Sequence, residues 1–120
     1  MKEPMILEKG EEHTTTRQQL PQRRPNQTVD LIHGNMTFSV TFGYDPATGE
    51  PREVFTHGAK AGSNMDAILD DVCVLLSLVL QHGIKASSLA GSMGYYGANK
   101  KPSSIIGRLV NLLKEQEKTK

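Results

Sequence analysis

The stretch from Met65 to Leu80 does most to limit the folds open to this chain. Its apolar residues recur at intervals of three and four, the spacing of one face of an amphipathic helix. Further apolar side chains widen this stripe almost all the way round: Cys73, Val74, Leu78 and Leu80. We expect the helix to begin near Asn64 and to stop at Gly83, where glycine tolerates the left-handed conformation. A helix that is apolar on most sides must be buried on most sides, so it is central to the domain or shared with another subunit.

Three segments ahead of this helix predict β-strands. From Met36 to Tyr44 apolar and polar residues alternate, which is typical of a half-buried strand. A shorter segment at 28–32 precedes it across a turn at 33–35. Another at 52–56 follows it across a turn signal at 45–49. The simplest assembly is a three-stranded antiparallel meander.

After the long helix, residues 86–93 predict a short helix, and Pro102 fits the first position of a last helix. The apolar face of that last helix comprises Ile105, Ile106, Leu109, Val110, Leu112 and Leu113. Residues 1–24 are polar and lack periodicity, which predicts a disordered arm, and 115–120 form a polar tail. The domain, 25–114, is expected to be α+β: a small antiparallel sheet of about three strands packed on the long apolar helix and the C-terminal helix.

Composition excludes several kinds of chemistry. The only cysteine is Cys73, so the chain has no intrachain disulfide, CxxC pair or multi-cysteine zinc site. Its apolar neighbours predict a buried thiol rather than a nucleophile. The four histidines are scattered without metal-ligand spacing, and no catalytic constellation is visible. We therefore predict no catalytic residue, no metal and no cofactor.

Hydropathy and charge suggest where the protein works and with what. The longest apolar run, 72–80, is too short to span a bilayer, and the start of the chain lacks a secretory signal, so a cytoplasmic location without membrane contact is expected. Residues 27–82 carry a net charge of −5 and residues 83–120 a net charge of +5. Such a separation is usual for solvated faces, but together with the wide apolar helix it predicts a homo-oligomer.

The loop ahead of the long helix is the first candidate site. Free N–H groups and the positive end of the helix dipole favour an anion at a helix start. The residues expected to contribute are Lys60, Gly62, Ser63 and Asn64. The alternative is that Ser63 is only an N-cap and that the glycines only turn the chain.

A second candidate site interleaves aromatic and basic residues, a composition that stacks bases and neutralises phosphates. It comprises Tyr95, Tyr96, Lys100 and Lys101. The alternative is a loop whose tyrosines cover the edge of the core. Arg52, on the third strand, is a further candidate for contact with a ligand, although a surface pair with a neighbour is the commoner role.

Two blocks carry a resemblance to a known family: "GEPREVFTHGAKAGSNMDAILDDVCVLLSLVLQHG" and, after a gap, "KPSSIIGRLVNLL". They resemble the TSCPD domain at the C-terminal end of adenosylcobalamin-dependent (class II) ribonucleotide reductases, and the similarity covers about residues 23–113. The family is named after a Thr-Ser-Cys-Pro-Asp motif. Here the corresponding stretch is 99–103, and only Pro102 agrees.

The resemblance implies a relative of a reductase rather than a reductase. Ribonucleotide reduction in that family requires a large barrel, a radical-carrying cysteine and a redox pair, which this chain cannot supply. We expect no enzyme activity, and a reductase label would reflect family membership only. Three functions stay open: a non-catalytic module that binds a nucleotide or nucleic-acid phosphate at a helix N-terminus, an accessory protein that docks on a reductase or another partner through its apolar helix, or a phage-type sponge for a nucleotide signal.

Overall fold

A computed structural model describes residues 16–34, 36–58, 64–93, 95–96, 101–102 and 104–117. In chain order the elements are β1 (Asn26–His33), β2 (Met36–Tyr44), β3 (Pro51–His57), α1 (Asn64–Gln81), α2 (Ala86–Ala90), β4 (Tyr95–Tyr96), β5 (Lys101–Pro102) and α3 (Ile105–Glu115). The architecture is α+β, as the sequence predicts.

The first three strands form an antiparallel sheet in the order β1-β2-β3, so the predicted meander is confirmed. Leu31 pairs with Phe38 across β1 and β2, and Phe42 pairs with Val54 across β2 and β3. These side chains and Val40 share one face, because strand residues two apart point the same way. That face is buried, and it joins side chains of α1 and α3 in a single core cluster.

On the opposite face of the sheet, one charged side chain is buried. Glu53 is only 8% exposed and lies across the backbone of Gly43. A Cβ at Gly43 would clash with the Glu53 carboxylate, so glycine at this position leaves room for the observed place of Glu53. Arg24 then forms a two-bonded ion pair with Glu53, through Nε and Nη2. This pair fixes the residues before β1 to the sheet.

Helix α1 runs antiparallel to β3 and covers its free edge. The Val54 N–H donates to Ser77 Oγ at 3.0 Å, and Gln81 Nε2 donates to the Arg52 carbonyl oxygen at 3.0 Å. An unpaired strand edge is an aggregation hazard, and covering it with a helix removes the hazard. The polar residues within this apolar helix therefore have a structural role.

The bounds predicted for α1 are confirmed, and its burial is not. The helix starts at Asn64, and Gly83 ends it with a φ of 90° while its N–H donates to the Leu80 carbonyl oxygen at 3.0 Å. The buried residues are Leu69, Cys73, Leu76, Leu80 and Gln81. However, Ile68, Val74 and Leu75 are 53%, 58% and 63% exposed. The expectation of burial on most sides is wrong for the single chain, because the sheet and α3 reach only one arc of the helix.

The last helix starts later than the sequence suggests. Pro102 was expected at its first position, but Pro102 belongs to β5, and α3 begins at Ile105. The Ser104 hydroxyl accepts a hydrogen bond from the Gly107 N–H at 3.0 Å, so serine is the N-cap and sets the start. The apolar face is as predicted, with Ile105, Leu109, Val110 and Leu113 buried.

Part of the predicted disordered arm, 1–24, makes contacts with the domain. The Gln18 N–H donates to the Gln81 carbonyl oxygen at 2.8 Å, and Arg17 Nε donates to the Gln81 side-chain oxygen. Together with the Arg24 ion pair, these bonds hold part of the segment 16–24 against α1 and β3. Residues 1–15 lie outside the described residues.

Candidate functional site

A groove of about 820 Å³ lies between β3 and α1. We call it the β3–α1 groove. Its floor is made by Cys73 and Thr56, whose Sγ and Oγ1 atoms are 3.8 Å apart. Both residues are buried. The groove therefore sits directly on the contact between helix and sheet, and its shape depends on that contact.

The thiol in the floor is not a reactive group. Burial raises the pKa of Cys73, and the nearby carboxylate of Asp70 raises it further, while the Thr56 hydroxyl opposes the shift by hydrogen bonding. A raised pKa keeps the sulfur protonated at neutral pH, and a protonated thiol is a poor nucleophile. The prediction that Cys73 is a core residue is confirmed.

Part of each wall of the groove is apolar and open to solvent. Phe55 rises from β3 and is 45% exposed, although it is a large aromatic side chain. Val74 and Leu78 stand opposite it on α1. Large apolar side chains that remain exposed beside a concave surface mark interaction sites more often than isolated ones do.

The charges in the groove are mainly acidic at the end near the start of α1. Asp66 and Asp70 lie one helical turn apart on this wall, close to His57 on the strand side. Asp66 is in the first turn of α1, where a carboxylate interacts favourably with the helix dipole. Arg17 lies at the opposite end, where its Nε donates to Gln81. The described part of the groove thus offers apolar walls with carboxylates at one end.

Most of the predicted anion site cannot be placed. Lys60, Gly62 and Ser63 lie outside the described residues, and Asn64 is the exposed first residue of α1. Arg52 is half-buried on β3, where its carbonyl oxygen accepts the hydrogen bond from Gln81. No described bond engages the Arg52 guanidinium, so the structure relates Arg52 to α1 through its backbone.

Part of the second predicted site lies on strands β4 and β5. Strands β4 and β5 pair antiparallel, with Tyr95 opposite Pro102 and Tyr96 opposite Lys101. Lys100 lies outside the described residues. Strand β5 contacts α3, so this short ladder belongs to the C-terminal part of the molecule. The register places Tyr96 and Lys101 at paired backbone positions, and their role as a binding site stays a prediction.

Sequence reasoning did not find the β3–α1 groove. Two signals were available: Phe55 falls on the solvent-facing positions of its strand, and polar residues interrupt α1 one turn apart at Ser77 and Gln81. Neither signal shows by itself that strand and helix face each other. In the described ranges, no helix is long and apolar enough to cross a membrane, and no group of three or more acidic, histidine or cysteine side chains could hold a metal ion.

The fold and the groove define a small α+β module in which α1 covers the edge of the sheet and the groove beside it is lined by apolar and acidic side chains. A sequence model of the TSCPD domain matches residues 8–117, nearly the whole chain, and the chain belongs to that family. It is accordingly a small module related to ribonucleotide reductases. Neither a curated protein nor a solved structure matches it.

Proposed function

We propose that this chain is a non-catalytic accessory module that docks on a reductase polypeptide through the β3–α1 groove. The observation that carries the proposal is the exposure of Phe55 and Val74 on opposite walls of a groove of about 820 Å³. Membership in a reductase-related family makes a reductase the partner to test first. The proposal narrows the docking surface expected from the sequence to one flank of α1 and the adjoining strand.

The chemistry of the groove defines the segment that would fit it. Apolar side chains of a partner would fill the space between Phe55 and Val74, and aromatic contacts of this kind dominate many interfaces. Asp70, which is exposed at the acidic end, would pair with a lysine or arginine of the partner. We therefore expect an apolar segment of the reductase flanked by a basic residue.

The same charges argue against an anion at this surface. Asp66 occupies the first turn of α1, and Asp70 follows one turn later, so a phosphate near them would meet two carboxylates. The loop at 59–63, which includes Lys60, lies outside the described residues. Among the described residues, the groove supports docking of a cationic, apolar segment better than binding of a nucleotide.

The chain alone should not reduce ribonucleotides. A single buried thiol with a raised pKa cannot form the redox pair that this reaction uses. In an assay with a dithiol reductant and adenosylcobalamin, we expect no deoxyribonucleotide product. Turnover that disappears in Cys73→Ser would contradict this expectation.

The docking proposal is tested by titrating the purified reductase catalytic chain of the source organism into this 120-residue chain in a calorimeter. Phe55→Asp should weaken binding by at least about tenfold, because it places a carboxylate between apolar walls. The matched control is Ile32→Asp, since Ile32 is also exposed, at 60%, but lies on β1 outside the groove. Thermal unfolding of both variants checks that the fold is retained.

A second pair of variants tests the acidic end of the groove. Asp70→Lys should weaken binding several-fold and make it less sensitive to salt, because one attractive pair becomes repulsive. Asp30→Lys, an exposed position on β1, should leave binding unchanged. Absence of binding at about 100 μM would overturn the proposal, as would binding that Phe55→Asp and Asp70→Lys leave intact.

A second candidate function is binding of single-stranded nucleic acid at the β4–β5 ladder, which the facing positions of Tyr96 and Lys101 favour. Lys101→Ala should weaken binding of an oligothymidylate and lower its salt dependence, and Tyr96→Ala should weaken it further through lost stacking. The phage-type sponge would instead hold a mononucleotide signal and should respond to Lys60→Ala. Indifference of the oligonucleotide to both ladder variants would remove this candidate.

A further inference from the structure

The outer side of α1 carries a stripe that adjoins the groove and shares only Leu78 with it. It consists of Ile68, Asp71, Leu75, Leu78 and His82, which we call the outer stripe. Ile68 and Leu75 are each more than half exposed, and neither lines the β3–α1 groove. The His82 N–H still donates to the Leu78 carbonyl oxygen at 3.1 Å, so helical bonding continues to the end of the stripe.

The spacing within the outer stripe is the spacing of a helix–helix seam. Its residues follow one another at intervals of three, four, three and four, as do the a and d positions of a coiled coil. Side chains at such intervals lie on one line along a helix and pack between those of a second helix. This spacing predicts that a second helix, rather than a loop or a strand, covers the stripe.

The spacing of residues in the outer stripe indicates that the second helix is α1 of another copy of this chain. From Asp71 to His82 the intervals are four, three and four, which read the same in both directions. A second copy placed antiparallel about a two-fold axis would therefore set Leu75 against Leu78 of the second copy. The same operation would set Asp71 against His82 of the second copy, once on each side of the axis.

Charge along α1 supports the same arrangement. All the charged residues within the helix are acidic and lie in its first half: Asp66, Asp70 and Asp71. Beyond its end come His82 and Lys85. A parallel copy would place carboxylates against carboxylates, whereas an antiparallel copy places the acidic half of each helix beside the basic end of the other.

We propose that the outer stripe is a two-fold interface with a second copy of this chain, in which α1 packs antiparallel to its counterpart. The interface has a Leu75–Leu78 centre between two Asp71–His82 pairs, and it is isologous, so it closes as a dimer. It extends along a helix of 18 residues, which is about 27 Å long. Because one helix face is smaller than a standard interface, we expect a dissociation constant in the micromolar range.

Sedimentation velocity of the full chain between about 1 and 500 μM tests the interface, a range chosen to bracket micromolar dissociation. The wild type should pass from monomer to dimer within this range. Leu75→Glu should remain monomeric throughout, since a carboxylate would be buried at the centre of the seam. Ile32→Glu, which changes an equally exposed apolar residue on β1, should dimerise as the wild type does.

A charge exchange tests the antiparallel orientation and does not rely on the leucine variant remaining folded. Asp71→Lys should raise the dissociation constant about tenfold. Adding His82→Asp to that variant should restore it, because in an antiparallel pair the introduced lysine meets the introduced aspartate. A parallel pair would instead keep like charges together and show no restoration.

Three results would overturn the interface: a wild type that is monomeric at every concentration, a dimer that Leu75→Glu leaves intact, or a charge exchange that fails to restore association. These variants lie outside the β3–α1 groove, so they should leave the affinity for the reductase unchanged. Failure of the dimer and failure of the docking proposal are therefore separate observations.

Discussion

Along α1, the side that faces β3 is bonded at every turn, whereas the outer side keeps apolar side chains more than half exposed. On the inner side, Cys73, Ser77 and Gln81 follow one another at intervals of four and contact successive alternate residues of β3. On the outer side, Ile68 and Leu75 have the same helical regularity but no such bonds in the described part of the chain.

This difference limits how the proposed partners could contact the module. Because side chains of α1 bond the outward-facing backbone groups of Arg52 and Val54, those groups are not available for an added strand of a partner. Recognition then depends on side chains, either in the β3–α1 groove or on the outer stripe. Both surfaces belong to the same helix, so its placement against β3 determines them together.

The largest expected effect is on the free energy of unfolding, in a comparison of two leucines five residues apart on α1. Leu80 is 1% exposed in the core, so Leu80→Ala should lower the free energy of unfolding by about 3 kcal/mol, through lost burial and a cavity. Leu75→Ala, on the outer side, should change it by less than about 0.5 kcal/mol. Urea unfolding at about 1 μM chain, the low end of the expected monomer–dimer range, provides the measurement.

Equal losses of stability in Leu80→Ala and Leu75→Ala would contradict the expected difference between the two sides of α1. A large loss at Leu75 would mean that the outer side of α1 is packed within the monomer. In that case the exposure of the stripe could not support self-association.

The elements of the fold could be predicted because their signals are local. The alternation from Met36 to Tyr44 specifies a strand with one buried face, and Gly83 marks the end of α1 through its conformational freedom. Two local signals predict different starts for α3, and the Ser104 N-cap rather than Pro102 sets the observed start. The deciding factor is the hydrogen bond from the Gly107 N–H to the Ser104 hydroxyl, which cannot be read from the sequence.

The site could be predicted less well, because it depends on which elements meet. Ser77 interrupts an apolar helix without any sign that its partner is the Val54 backbone, 23 residues away. The Arg24–Glu53 pair joins a polar segment to a strand across 29 residues, and it depends on space that only Gly43 provides. Exposure of one helical arc likewise follows from the size of the sheet and not from the apolar pattern.

A smaller effect is expected from removing one bond on the inner side of α1. Ser77→Ala leaves the Val54 N–H without its 3.0 Å acceptor, and an unsatisfied backbone donor costs about 1 to 3 kcal/mol. Alanine is the better helix former, which offsets part of this cost, so we expect a net loss of about 1 kcal/mol in urea unfolding. Ser92→Ala, at an exposed position whose backbone alone is bonded, serves as the control.

An unchanged stability in Ser77→Ala would show that water replaces the serine hydroxyl at the edge of β3. Amide hydrogen exchange at Val54 separates the two cases, since loss of the bond without a replacement should accelerate exchange at that position. If water replaces the serine hydroxyl, the edge of β3 would be a place where another strand could add.

The smallest expected effect on stability concerns the Cys73 thiol, which contacts Thr56 where α1 meets β3. Burial raises the pKa of Cys73 in the folded state above its value in the unfolded chain, which is about 8.5. Below that pH both states hold the proton and stability is unaffected. As the pH rises through and above about 8.5, the unfolded chain releases the proton while the native thiol retains it, so the free energy of unfolding falls.

Urea unfolding of the wild type and of Cys73→Ala at pH 7 and pH 9.5 isolates this contribution. The wild type should lose more stability than the variant over this interval, by up to about 1 kcal/mol. Tyr44, whose pKa is also raised by burial, is present in both proteins, so its effect cancels in the comparison. In the folded wild type, a thiol reagent at pH 7 should react with Cys73 much more slowly than in urea. Two results would contradict this expectation: rapid labelling of the native protein, or the same pH dependence in both proteins. Either would show that the floor of the groove opens to solvent. The inner side of α1 would then be less firmly held than its bonds indicate.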